Sequence, residues 1–194
     1  MPRFAYHWAM IGVLAFVILP WLVYELVRGF RSLRVKLAGG PEAHAIKLIR
    51  KFVAAHADWK VRVYRTPAGL RALALHRRFT PNDPEAQAFF RAIGSDPIYV
   101  RMCVNQQCFR ARVSPKPWRI GQPHIRPSPG TWPINPERLP ERREWITRYE
   151  QAARAYASCH FVEAMGSGST DDSVRQVQEL HDMLSRANDS LPLA

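Results

Sequence analysis

The sequence predicts an α+β protein: one N-terminal transmembrane helix, then a small domain whose antiparallel sheet of about three strands is packed by helices. A Pro-rich strap and C-terminal helices complete that domain. Three observations predict this. Residues 4–24, FAYHWAMIGVLAFVILPWLVY, carry no formal charge. Apolar and polar residues alternate in WKVRVYRT and CFRARV. Elsewhere, apolar residues recur at three- and four-residue intervals behind capping residues. The expected organisation is an anchor with a basic juxtamembrane segment over 1–38, a basic α+β core over 39–113, a strap over 114–140 and a helical segment over 141–194.

At about 1.5 Å per residue, an uncharged helix over 4–24 would cover the roughly 30 Å of a bilayer core. Tyr6, Trp8, Trp21 and Tyr24 stand near its ends, where amphipathic rings favour the headgroup level. A cleaved signal peptide competes with this reading. It is disfavoured by a lone Arg3, by the length of the apolar run, and by the lack of a small-x-small site after Tyr24. Arg28, Arg31, Arg34 and Lys36 follow the run, so the positive-inside tendency puts the N-terminus outside and the domain in the cytoplasm of an inner-membrane protein. Three cysteines without framework spacing suit a reducing compartment. His7 is the type of residue that ligates a haem or chlorin metal, but a place at the interface explains it as well, and no cofactor is expected.

Charge is uneven. The chain carries a formal +12, yet residues 28–126 hold 20 Lys or Arg against 5 Asp or Glu, a net +15, and residues 127–194 hold 7 against 10, a net −3. A basic half asks for an anionic partner. The candidates are a membrane with anionic lipid headgroups, integral membrane protein subunits, and nucleic acid.

Along the chain, Gly39-Gly40 breaks the first helix and Pro41 opens the next, with Ala45, Ile46, Ile49, Phe52 and Val53 at helical spacing as far as Asp58. WKVRVYRT places Trp59, Val61 and Val63 on one strand face and Lys60, Arg62 and Tyr64 on the other, toward water. PAG turns the chain into LRALALH, giving a hairpin. A helix follows with Asp83 as N-cap, Pro84 first and Gly94 as the stop. Asp96-Pro97 repeats that start, so PIYVRMCVNQQ is expected to be a short helix, although Ile98, Tyr99 and Val100 also suit a strand. CFRARV is expected as the third strand, apolar face inward and Arg110 and Arg112 outward. Eight of the sixteen prolines lie between Pro115 and Pro140. Trp118, Ile120, Ile125, Trp132 and Ile134 make that stretch too apolar for a free spacer, so it is expected to lie over its own sheet or in a partner's groove. Two amphipathic helices close the chain. One carries Trp145, Ile146, Tyr149, Ala152, Ala153 and Tyr156; the other carries Val174, Val177, Leu180 and Leu184. A short strand in CHFVEAM is possible between them, and Asp171 and Asp172 make GSGST a cap better than a phosphate cradle.

The candidate binding residues for a partner or an anionic surface are Arg28, Arg31, Arg34, Lys36, Arg110, Arg112, Lys116, Trp118, Arg119 and Trp132. Cys103 and Cys108 have a spacing that zinc tolerates, but only Cys159 and His160 remain to complete four ligands, so packed thiols are the better reading. No nucleophile elbow, HExxH or P-loop is present, and His181 and Asp182 are helix neighbours about 100° apart. The expectation is a non-catalytic, membrane-anchored accessory or scaffold subunit of a larger complex. The alternative is a membrane-tethered nucleic-acid-binding module.

Overall fold

A computed structural model of the chain describes residues 3–37, 39–125 and 133–194. Two compact units divide it, Met1–Ile46 and Lys47–Ala194. The first unit consists of helix α1 (Arg3–Leu37) and the start of α2 (Pro41–Ala54). Gly39 and Gly40 separate the two helices with φ of 86° and 101°, backbone that favours glycine.

The membrane span expected over 4–24 is corrected: among the described residues, no helix is long and apolar enough to cross a membrane. Exposed apolar side chains are described on α1 from Phe16 to Leu37. Glu25, Arg28, Arg34 and Lys36 interrupt that stretch, with Arg28 paired to Glu25 at 3.0 Å, and Pro20 lies inside the helix. With the span go the single-pass, inner-membrane placement and the orientation inferred from it.

The second unit is built on a three-stranded antiparallel sheet in the order β2-β1-β3, with β1 at Val61–Thr66, β2 at Gly69–Ala74 and β3 at His160–Met165. The hairpin registers Val61 on Ala74 and Thr66 on Gly69. On the other edge β1 meets β3 from Val61↔Met165 to Arg65↔His160, with an irregularity between Val63 and Tyr64. The third strand is therefore not CFRARV, whose residues lie in irregular backbone. Alternation marks any chain that is half covered along its length, whereas a strand needs a free ladder. The one beside β1 is taken by β3.

Both faces of β1 are covered, and Val61, Val63 and Tyr64 are each 0% exposed. One layer holds the rings of Phe52 from α2, Trp59, and Phe89 from α3 (Pro84–Ile93), with centroids 4.8 to 5.0 Å apart. The face expected to point Arg62 and Tyr64 to water instead lies under α6 (Asp172–Ser185), because a buried carboxylate on that helix takes their hydrogen bonds. Capping follows the sequence at three places. Asp83 accepts from the Glu85 N–H, Asp96 from the Ile98 N–H at the start of α4 (Pro97–Gln106), and Asp171 from the Ser173 and Val174 N–H groups. Helix α5 spans Leu139–Ala153.

The glycines of GSGST serve close approach as well as turning. A Cβ on Gly166 would stand 2.0 Å from the Trp59 carbonyl oxygen, and one on Gly168 would stand 1.9 Å from that of Asp58. Both neighbours are backbone and cannot step aside. Gly168→Ala is thus expected to cost about 3 kcal/mol or more, read as a lowered urea midpoint with an unchanged slope. An unaltered midpoint would show that the loop after β3 does not rest on that turn.

Candidate functional site

Two arrangements in the second unit bring chemistry-bearing side chains together. The first is the buried cluster between β1 and α6. Asp182 accepts from Arg62 Nη2 at 2.8 Å and Gln178 Nε2 at 3.2 Å through Oδ2, and from the Tyr64 hydroxyl at 2.7 Å and His181 Nδ1 at 3.0 Å through Oδ1. Arg71 Nη1 donates to His181 Nε2 at 2.7 Å, and its Nη2 donates to the Arg112 carbonyl at 2.9 Å. A guanidinium has no acceptor, so Nε2 must be the accepting nitrogen and Nδ1 must carry the proton that Asp182 receives. The network fixes the neutral tautomer of His181.

Cys159 Sγ lies 3.9 Å from His181 Nε2. Thiol, imidazole and carboxylate thus stand in the order of a nucleophile, a base and its orienter. Three features stop them acting as one. The Nε2 lone pair is already taken by Arg71; Cys159 is 0% exposed; and burial pushes its thiol pKa up, away from the reactive thiolate. Burial and the Asp182 bond likewise hold the Tyr64 phenol protonated far above its usual range. The cluster is a structural joint, and it was missed in the sequence because a helical offset of 100° separates Cα–Cβ directions, not the ends of an imidazole and a carboxylate. The signal available was the polar stripe Gln178, His181, Asp182 and Ser185, at intervals of three, one and three residues.

The second arrangement is the first half of the strap. Its two ends are fixed to α5: the Tyr149 hydroxyl donates to the Pro115 carbonyl at 2.7 Å, and Trp145 Nε1 donates to the Pro123 carbonyl at 2.8 Å. The two rings stack at 5.2 Å with an interplanar angle of 4°. Between the pins, Pro117–Ile120 forms a 3-10 turn closed by Gly121 at φ 71°, with Pro115 and Ile120 buried beneath it. Trp118 sits at the apex, 53% exposed. Lys116 Nζ lies 4.9 Å from its ring centroid and the His124 ring lies 5.0 Å away, tilted by 39°. The strap therefore rests on its own chain through α5.

The remaining expected residues distribute as follows. Arg28, Arg34 and Lys36 are exposed on α1, where Arg34 lies 5.8 Å from the Phe30 centroid, and Arg31 belongs to the same helix. Arg110 and Arg112 are exposed in the irregular segment leading to the strap, and Arg119 is half-buried on the turn. Trp132 lies outside the described residues. The thiols and imidazole weighed as zinc ligands are engaged separately: Cys103 with Tyr99, whose phenol is pushed up to about 12 by burial and then by that contact; Cys159 with Arg71; and His160 Nε2 with the Leu191 carbonyl. Among the described residues, no three His, Cys, Asp or Glu side chains gather to hold a metal. His124 and the pins Trp145 and Tyr149 were not singled out from the sequence as site residues. The chain matches no protein-family model, no curated protein and no solved structure.

Burial lowers the pKa of His181, and likewise of His76, whose two ring nitrogens find no hydrogen-bond partner among the described residues beside Trp59 and Phe79. Unfolded chains take up protons near pH 6.5 that the folded state refuses, so stability is full above that pH and falls as pH drops toward the depressed folded values. The carboxyl of Asp182, held low by Tyr64, His181 and Arg62 against the opposing pull of burial, adds a further loss only below the ordinary carboxylate range. The melting temperature is expected to fall between pH 7 and 5, with a shallower slope in His181→Gln and His76→Leu. A profile flat to pH 4 would contradict the neutral assignment. Asp182→Ala strands Arg62 without its buried counter-charge and is expected to cost about 3 kcal/mol in urea unfolding at pH 7.5.

Proposed function

We propose that this chain is a non-catalytic nucleic-acid-binding module whose grip is the strap turn. The observation that carries the reading is Trp118, held half-exposed at the apex of a pinned loop with Lys116 over its ring. Arg110 and Arg112 lead into that loop and Arg119 lies on it, so phosphate-neutralising charge and a stacking surface occupy one short segment. A net +15 over residues 28–126 supports an anionic partner.

If four cations displace counterions from phosphates, affinity falls between 50 and 200 mM salt by about 50-fold for a single strand and about 150-fold for a duplex. Titration of labelled oligonucleotides with the full chain is expected to show this slope, and Lys116→Ala with Arg119→Ala to halve it on a logarithmic plot. Binding indifferent to salt, or none at 50 mM, would overturn the reading.

A second reading, an accessory or scaffold subunit, draws on α6. Its polar side faces the sheet, and Val177, Leu180, Met183 and Leu184 face outward at 51 to 66% exposure. The intervals of three and four residues from Val177 to Leu180 to Leu184 are those of a helix-packing seam, so the fitting occupant is an amphipathic helix of another protein. That reading expects Leu180→Asp to release an identified, stoichiometric partner while oligonucleotide affinity stays constant. Loss of oligonucleotide binding in the same variant would count against it.

A further inference from the structure

We propose that the Trp118 site selects single-stranded over double-stranded nucleic acid, an inference that rests on the nucleic-acid reading above. In a duplex each base has both π faces covered by its neighbours, and an indole finds a face only where a base has left the stack. With Lys116 Nζ 4.9 Å and the His124 ring 5.0 Å from it, Trp118 keeps about half its surface free at the apex and is presented for stacking without backbone reorganisation. The Pro115 and Pro123 carbonyls are pinned by Tyr149 and Trp145 at 2.7 and 2.8 Å. The turn between them is closed by the Arg119 N–H on the Lys116 carbonyl at 2.9 Å and the Gln122 N–H on the Pro117 carbonyl at 2.9 Å.

The same geometry is unsuited to reading a groove. The major groove of B-form DNA is filled by an α-helix or a two-stranded ribbon. Here Arg110, Arg112, Lys116 and Arg119 stand on irregular backbone and a four-residue 3-10 turn. Such a segment can follow a flexible backbone over a short distance but supplies neither the helix nor the ribbon that fills a major groove. Lys116, on the ring, and Arg119, one residue beyond it, place charge on both chain sides of the indole, where the phosphates flanking a stacked base would run. Because every base offers a π face, stacking of this kind tolerates sequence.

The test compares the full chain on a labelled mixed-sequence 12-mer and on a hairpin duplex of the same sequence, by anisotropy at 100 mM salt. The single strand is expected to bind at least tenfold more tightly. Trp118→Ala should lose about tenfold on the single strand and almost nothing on the duplex, and Trp118→Phe should recover most of the loss. An exposed apex makes both variants tolerable to the fold, which an unchanged melting curve would verify. Equal binding of the two substrates, or equal loss on both with Trp118→Ala, overturns the inference and leaves the nucleic-acid reading standing. No binding of either substrate at 50 mM salt overturns both.

Discussion

The second unit depends on one buried carboxylate. Asp182 is 8% exposed and receives hydrogen bonds from Arg62, Tyr64, His181 and Gln178, so the desolvation of its charge is offset by a guanidinium and three further donors. Two of those donors lie on β1, the central strand, so the carboxylate fastens α6 across the sheet. A chain of contacts continues outward from it. His181 accepts from Arg71, Arg71 reaches the Arg112 carbonyl, and so the sheet is tied to the segment that carries Arg110 and Arg112 into the strap. The cost of that arrangement appears on the opposite side of α6, where Val177, Leu180, Met183 and Leu184 are left outside.

The strap is governed by a second device of the same kind, in which polar tips of aromatic side chains hold backbone carbonyls that proline-rich chain cannot pair in a ladder. Trp145 and Tyr149 are one helical turn apart, stack on each other, and each ends in a donor, so together they fix two carbonyls eight residues apart in sequence. Proline restricts the backbone between the pins and Gly121 supplies the left-handed residue that ends the turn. A loop held at both ends loses little entropy when a ligand settles on its apex, which is why the exposure of Trp118 carries more weight than that of an indole on a free loop.

How much of this was legible follows from the range of the forces involved. The hairpin and the starts of α3, α4 and α6 were legible because cap, proline and turn residues act within a few positions of one another. The swap of CFRARV for His160–Met165 as third strand was not, because pairing with β1 is settled across about a hundred residues. For α6 the expected stripe Val174, Val177, Leu180 and Leu184 splits, with Val174 buried and the other three exposed, because which side faces inward was decided by Asp182 meeting Arg62 and Tyr64, a contact 118 to 120 residues apart. Apolar periodicity names a stripe and cannot say that a polar one will outcompete it. The apolar run at the N-terminus misled in another way: residues 4–24 carry no formal charge, yet among the described residues no helix is long and apolar enough to cross a membrane. Among the residues of the proposed site, the cations and Trp118 stand out in the sequence, whereas the pins that give Trp118 its place do not, since Trp145 and Tyr149 read equally well as core.

The central claim is that pinning of the strap to α5 makes the Trp118 surface. A double-mutant cycle between Tyr149→Phe and Trp118→Ala, read as single-strand affinity of the full chain, tests it most directly. The account predicts that Tyr149→Phe, which removes only the donor to the Pro115 carbonyl, weakens binding several-fold in the presence of Trp118 and not at all in its absence. Losses that simply add would contradict it, because the indole would then be contributing without regard to how it is held.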